Sequence, residues 1–169
     1  MKPLLLALVA IATFPVASCA DDTSTAENPN QRLIDIYGEV IPAVATHQRP
    51  DLPDDEPLDL IVYVTPRENV DINVDVQVGL VNALDEWADI RFIDELEEAI
   101  AINEPGQPVR DDSVLVGLGS VPDGTASVEL AADRYESADE LTTFELTLRR
   151  QDGEWSIVEP PEGTRVTLR

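Results

Sequence analysis

Leu33, Ile36, Tyr37, Val40, Ile41 and Val44 recur at spacings of three and four. This is one apolar stripe along a helix of about four turns. Asn28 or Asn30 is its cap and Pro29 suits its first position, while Gly38 weakens it and Pro42 is expected to kink it or end it early. Leu58 to Thr65 is too apolar for a solvated face and predicts a buried strand. A second helix is predicted from Asp75 to Ala88, with Val76, Leu80, Leu84 and Trp87 on one side and Asn73 or Asp75 as cap. Ile90 to Ile93 predicts a short strand, and Asp94 is expected to cap a short acidic helix reaching Ile100.

The last third changes character. Ser113 to Gly119 reads as a buried strand, and Thr125 to Ala132 as a strand after the Pro122-Asp123-Gly124 turn. Phe144, Leu146 and Leu148 alternate with Thr143, Glu145, Thr147 and Arg149, the pattern of a half-buried strand from Leu141 to Arg150. Asp152-Gly153 is a two-residue hairpin turn leading to a return strand at Trp155 and Ile157. Pro160-Pro161 breaks that strand, and Arg165 to Leu168 adds an edge. Early helices and a late meander predict an α+β domain, its helices packed on one face of a mainly antiparallel C-terminal sheet. The layout resembles NTF2-like and cystatin-like cones in outline, with the strands at Leu58 and Ile90 departing from that order.

Ahead of this domain, Lys2 precedes an apolar run from Leu4 to Ala12, extended to Ala17. The run is shorter than the roughly 20 residues that cross a bilayer and has the plan of a cleaved export signal. Its end, Val16-Ala17-Ser18-Cys19, resembles the lipobox of bacterial lipoproteins, and Cys19 is the single cysteine of the 169-residue chain. The resemblance implies cleavage before Cys19, diacylation of its sulfur and anchorage on the outer face of the cell membrane. The alternative is an ordinary signal cleaved after Ala20, which releases a soluble secreted protein. Residues 1–18 are thus expected as signal peptide, 19–30 as lipidated cysteine and polar tether, and 31–169 as one globular domain. Ile36-Tyr37, Val62-Tyr63-Val64 and Arg150-Gln151-Asp152-Gly153-Glu154-Trp155-Ser156-Ile157 are similar to lipoproteins of high-GC Gram-positive bacteria. That resemblance implies an envelope location and assigns no activity.

The formal net charge is −23, with 34 acidic residues against 11 basic ones. Such a chain repels phosphate backbones, so nucleic acid is excluded as a partner. It attracts cations or basic partners, or is simply a solvated acidic face. A lone cysteine rules out internal disulfides, and the domain must stabilise itself by packing.

Candidate chemistry is sparse. Asp71-Ile72-Asn73-Val74-Asp75 opens like a calcium loop, but Val76 and Asn82 stand where such a loop needs glycine and glutamate. A helix cap explains it better. Asp51, Asp54, Asp55, Glu56 and Asp59 crowd a proline-rich loop that reads as a solvated charge run. His47 is the only histidine; alone it builds no zinc site, and it reads as a surface residue. Ser113, Ser120, Ser127, Ser137 and Ser156 lie in no G-x-S-x-G elbow. Gly117-Leu118-Gly119-Ser120 lacks a following helix and is core strand, not phosphate loop. Trp87 and Trp155 read as core residues, Trp155 alternatively as a cavity wall. No catalytic, metal or cofactor set is expected. The reading favoured is a lipid-anchored envelope protein with a non-catalytic binding or accessory domain and an envelope partner. The alternative is an envelope hydrolase using carboxylates in a cavity of the sheet.

Overall fold

The computed structural model describes residues 28–47, 60–124, 126–158 and 162–166. Cys19, the leader, most of the tether, the acidic loop from Asp51 to Asp59 and Pro160-Pro161 lie outside them.

Helix α1 spans Pro29–Ala45. The Asn28 side chain accepts from the Asn30 N–H at 3.0 Å, and Pro29 fills the first turn, where no N–H partner is needed. The apolar stripe is buried as its spacing requires: Ile36, Tyr37, Val40, Ile41, Val44 and Ala45 are all inside. Pro42 does not end the helix, which continues to Ala45. Proline removes one interior bond, but the next turn closes through Thr46, whose N–H and hydroxyl donate to the Pro42 carbonyl at 3.0 and 2.9 Å. Buried Val44 and Ala45 hold that turn against the sheet.

Strand β1 (Ile61–Pro66), helix α2 (Val74–Leu84) and strand β2 (Asp89–Phe92) form a β-α-β unit, with β1 and β2 parallel. α2 ends at Leu84, four residues short of Ala88, and the Leu84 carbonyl accepts from the N–H groups of both Trp87 and Ala88. Strands β3 (Val114–Leu118), β4 (Ser127–Ser137), β5 (Glu140–Gln151), β6 (Glu154–Ile157) and β7 (Glu162–Val166) complete the fold. They make one sheet of order β2-β1-β3-β4-β5-β6, with β7 also on β5. β3 joins β1 in parallel, and every later pairing is antiparallel. The α+β class follows, with both helices in the first half and the antiparallel strands in the second.

Strand β4 runs five residues beyond the expected Ala132, because Asp133, Arg134 and Tyr135 still find partners on both β3 and β5. The outer side of β5 is covered twice: β6 pairs Leu148 to Gln151, and β7 pairs Leu141 to Glu145. Two short strands thus protect an edge that one long strand would leave open. Asp152 and Gly153 both take positive φ, 54° and 94°, as the tight β5–β6 hairpin demands. The predicted acidic helix after Asp94 is only a 3-10 turn at Leu96–Glu98. Glu98 Oε1 caps it by accepting from the N–H groups of Asp94 and Glu95 at 3.1 and 3.0 Å. The chain then leaves helical geometry because Ile100 bridges to Val109.

Pleating sends alternate residues to opposite faces. Val62, Val64, Val116, Leu118, Phe144, Leu146 and Leu148 meet α1 and α2 in the main core. Each such side chain contributes about 1.5–3 kcal/mol when fully buried. Tyr37 carries a hydroxyl into this core and donates it to the Gly119 carbonyl at 2.8 Å. Burial pushes its phenol up to about 12. Gly119 must be glycine, because a Cβ there would run into the Ala131 carbonyl oxygen.

Candidate binding face

Among the described residues the other face of the sheet carries no α-helix. Residues 93–113 fold over one end of it as an irregular flap. Ile93, Ala99, Ile100 and Val109 from the flap pack on Tyr63, Leu115 and Tyr135 from the sheet, making a second, smaller core. Polar bonds staple the flap down. The Val109 N–H donates to the Glu136 carbonyl at 2.9 Å, the Ala138 N–H to Gly106 at 2.8 Å, and the Tyr135 hydroxyl to the Gln107 carbonyl at 2.8 Å. Burial raises the Tyr135 phenol above its ordinary value. Tyr63 completes the set with a longer contact to Asp111 Oδ2 at 3.4 Å.

Between flap and sheet lies a hollow of about 600 Å³. Its apolar lining is Leu96, Ile100, Ile102, Leu115, Tyr135 and Leu141; its polar lining includes Thr65, Arg67, Glu68, Glu95, Glu97 and Asp133. Leu96 and Ile102 are 51 % and 42 % exposed at its mouth. A second hollow of about 610 Å³ continues from it, bounded by Asn69, Val70, Ser120, Pro122, Glu129, Ala131 and Glu145. Arg67 and Glu68 line both. The two form one trough along β4, from Tyr135 through Asp133 and Ala131 to Glu129, a length of ~20 Å at the rise of an extended strand.

A three-residue tie crosses the middle of this trough. Arg67 leaves the end of β1, passes over β3 at Gly117 and reaches β4, where its Nε stands 3.1 Å from Asp133 Oδ2. Thr143 of β5 donates its hydroxyl to the other oxygen, Asp133 Oδ1, at 2.7 Å. Gly117 faces Asp133 in register, and even a Cβ there would only touch the Asp133 Cβ at 3.4 Å and the Arg67 Cγ at 3.5 Å. The bare backbone of β3 is thus the saddle over which the arginine stem lies. Both Asp133 oxygens are engaged and the Arg67 charge is balanced. The remaining charged side chains along the trough, Glu68, Glu95, Glu97, Glu129 and Glu145, are all acidic.

The residues singled out from the sequence fall elsewhere. Asn73 is the cap of α2: its Oδ1 accepts from the Val76 N–H at 3.0 Å. Asp71 and Asp75 beside it are exposed, and Ile72 is buried, so the calcium-like pattern is spent on starting a helix. Among the described residues no three His, Cys, Asp or Glu side chains gather as a metal site. His47 is not a surface residue but half-buried. Its ring meets Phe144 edge-on at 4.9 Å, and its carbonyl accepts from Arg134 Nη1. Burial, and then the Arg134 charge, lower its pKa below the usual histidine value. Phe144 faces the helices, so His47 lies on the side of the sheet away from Ser120 and the trough.

Ser113 is buried, its hydroxyl donating to the Asp111 carbonyl, and Ser127 donates to Leu148. Gly117 to Gly119 belong to β3 and its end, as the strand reading expects. Trp155 is buried in the main core, with the Arg32 guanidinium 5.6 Å above its ring, and Trp87 packs half-buried against the same core. Neither lines the trough. Arg67, Asp133 and Thr143 were not singled out from the sequence. The signal available was the polar alternation of β5, in which Thr143 and Glu145 mark an outward face that no predicted helix covers.

No model of a protein family, no curated protein and no solved structure matches this chain. Among the described residues no helix is long and apolar enough to cross a membrane.

Proposed function

We propose that this protein is a lipid-anchored component of the cell envelope, and that its domain is a non-catalytic binding module working through the helix-free face of the sheet. The carrying observation is the trough: an apolar hollow with Leu96 and Ile102 exposed at its mouth, continued by an acidic track. Exposed apolar groups rimmed by polar ones mark interaction sites. The central tie favours binding over acid–base chemistry, since the Asp133 carboxylate is held by Arg67 on one oxygen and Thr143 on the other. Such a clamp shapes a surface; a general acid or base needs an oxygen free to meet a substrate proton.

The anchor rests on Val16-Ala17-Ser18-Cys19 and the apolar leader before it. Two acyl chains on the Cys19 sulfur hold a protein stably at a membrane where one holds it only marginally. Cys19→Ser is expected to release the protein into the medium or leave it as uncleaved precursor. Correct cleavage with unchanged membrane fractionation would refute the anchor.

For the face, chemical crosslinking in intact cells followed by purification compares the native protein with Ile102→Asp. Ile102 is partly exposed, so the change places a charge in the hollow without emptying a core. The expected result is a partner captured by the native protein and lost from the variant, with melting temperatures alike. Equal capture by both would refute the face. Hydrolysis of a cell-wall or ester substrate that disappears in Asp133→Asn would establish the enzymatic alternative instead.

A further inference from the structure

Taking that face as a binding surface, we infer that its occupant is an extended basic peptide segment of a partner protein. An apolar side chain enters the hollow under the flap, and lysine or arginine side chains meet Glu68, Glu97 and Glu145. Three observations carry this. The two hollows adjoin at Arg67 and Glu68 and together follow β4 for ~20 Å, which is the span of about six residues of extended chain. A small ligand would fill one hollow and leave the other open. The large apolar side chains gather at the flap end, where Leu96, Ile100, Ile102 and Leu141 line the hollow, while the second hollow adds Val70, Pro122 and Ala131 among its polar groups, so the occupant's main apolar anchor belongs under the flap. Among the described lining residues the charge along the rest is acidic, because the one cation there, Arg67, is balanced by Asp133. An acidic or phosphorylated segment would meet five glutamates, Glu68, Glu95, Glu97, Glu129 and Glu145, against a single cation, Arg67, among the described lining residues. A basic one gains attraction at every step and is steered to the trough by the whole acidic molecule.

The test uses the full-length protein and labelled synthetic peptides of about six residues, read by fluorescence anisotropy and by amide hydrogen exchange. One peptide alternates lysine and leucine, a second glutamate and leucine, and a third lysine and serine. The lysine–leucine peptide is expected to bind, with protection confined to residues 96–107 and 129–145. Raising salt from about 0.05 to about 0.5 M is expected to weaken it about tenfold, since surface charges are screened. Glu68→Lys with Glu97→Lys is expected to weaken it at least about tenfold, and both sites are exposed, so folding is spared. Equal binding of the lysine–serine peptide would overturn the apolar anchor. Tighter binding of the glutamate–leucine peptide in the same trough would overturn the basic occupant and leave the face standing. Binding of no peptide would overturn the inference; loss of partner capture by Ile102→Asp in cells would then still uphold the face, and its persistence would sink both.

Discussion

Val64 and Thr65 are neighbours on β1 and stand on opposite faces of one sheet, and their surroundings have little in common. Val64 is sealed beneath two helices with Val116, Phe144 and Leu148. Thr65 opens into a trough whose walls are an irregular flap and a row of carboxylates. The first face is filled by side chains whose only requirement is to fit. The second spends its positions on a glycine saddle, an arginine, an aspartate and a threonine that tie to one another across three strands. A protein needs one packed face to stay folded. The other face, built on the same rigid strands, is then free to carry specificity, which is where positioned side chains are held most accurately.

Substitutions on the two faces should therefore separate into stability effects and binding effects. Phe144→Ala is expected to cost about 3–5 kcal/mol in denaturant unfolding, as large-to-small changes in closed cores do. Its sequence neighbour Thr143→Ala faces the trough and is expected to cost about 1 kcal/mol or less while weakening the bound partner. Equal losses at the two positions would erase the distinction between the faces.

Tyr37→Phe comes next. It strands the Gly119 carbonyl in the core and is expected to cost about 1–2 kcal/mol. It should also flatten the alkaline pH profile. The folded phenol titrates near 12 against the ordinary 10.0, so its contribution is whole below 10 and is lost as the pH rises toward 12. A variant that loses stability between pH 10 and 12 as the parent does would refute the buried phenol as the source of that loss.

Asp133→Asn tests the tie itself. The pair is partly exposed, Arg67 36 % and Asp133 24 %, so the expected loss in stability is about 1 kcal/mol or less. The expected gain is an unbalanced Arg67 in the trough, read as weaker binding of a basic peptide and as shallower salt dependence. Unchanged peptide affinity would show that Arg67 and Asp133 do not shape the track.

The smallest effect belongs to His47. Burial and Arg134 lower its pKa, so the unfolded chain binds the proton more readily. Its contribution is whole above about 6.5, the unfolded value, and is lost as the pH falls through the lower folded value. Glu39 acts in the opposite sense: burial and then Glu154 raise its carboxyl, which favours the folded state on acidification. His47→Phe is expected to remove the first dependence only, seen as a shallower fall in melting temperature from pH 7 to about 5. A profile parallel to the parent's would contradict the half-buried placement.

Local patterns in the sequence located most elements because each was written in neighbouring residues. The α1 stripe, the β5 alternation and the Asp152-Gly153 turn are of this kind. What stayed hidden was non-local. Nothing in Val62-Tyr63-Val64 says that β1 takes both β2 and β3 as parallel partners, since strand order depends on residues far apart. Glu-Leu-Glu-Glu-Ala-Ile has good helix propensity, yet Ile100 is claimed by Val109 and the helix shrinks to a turn. The site suffered the same fate. Arg67 sits in a polar connection and Asp133 beyond the strand that the pattern marked; only the order β1-β3-β4 brings them together over Gly117. The acidic charge, legible from composition, proved informative once the trough showed where some of it converges.

The most direct test places a photo-crosslinking amino acid at Ile102, in the hollow under the flap, and separately at Gln31, exposed on α1 across the sheet. Both proteins are expressed at native level and irradiated in intact cells. The expected result is a discrete adduct from position 102 and none from position 31. Adducts from position 31 alone, or the same adducts from both, would contradict the assignment of binding to the open face.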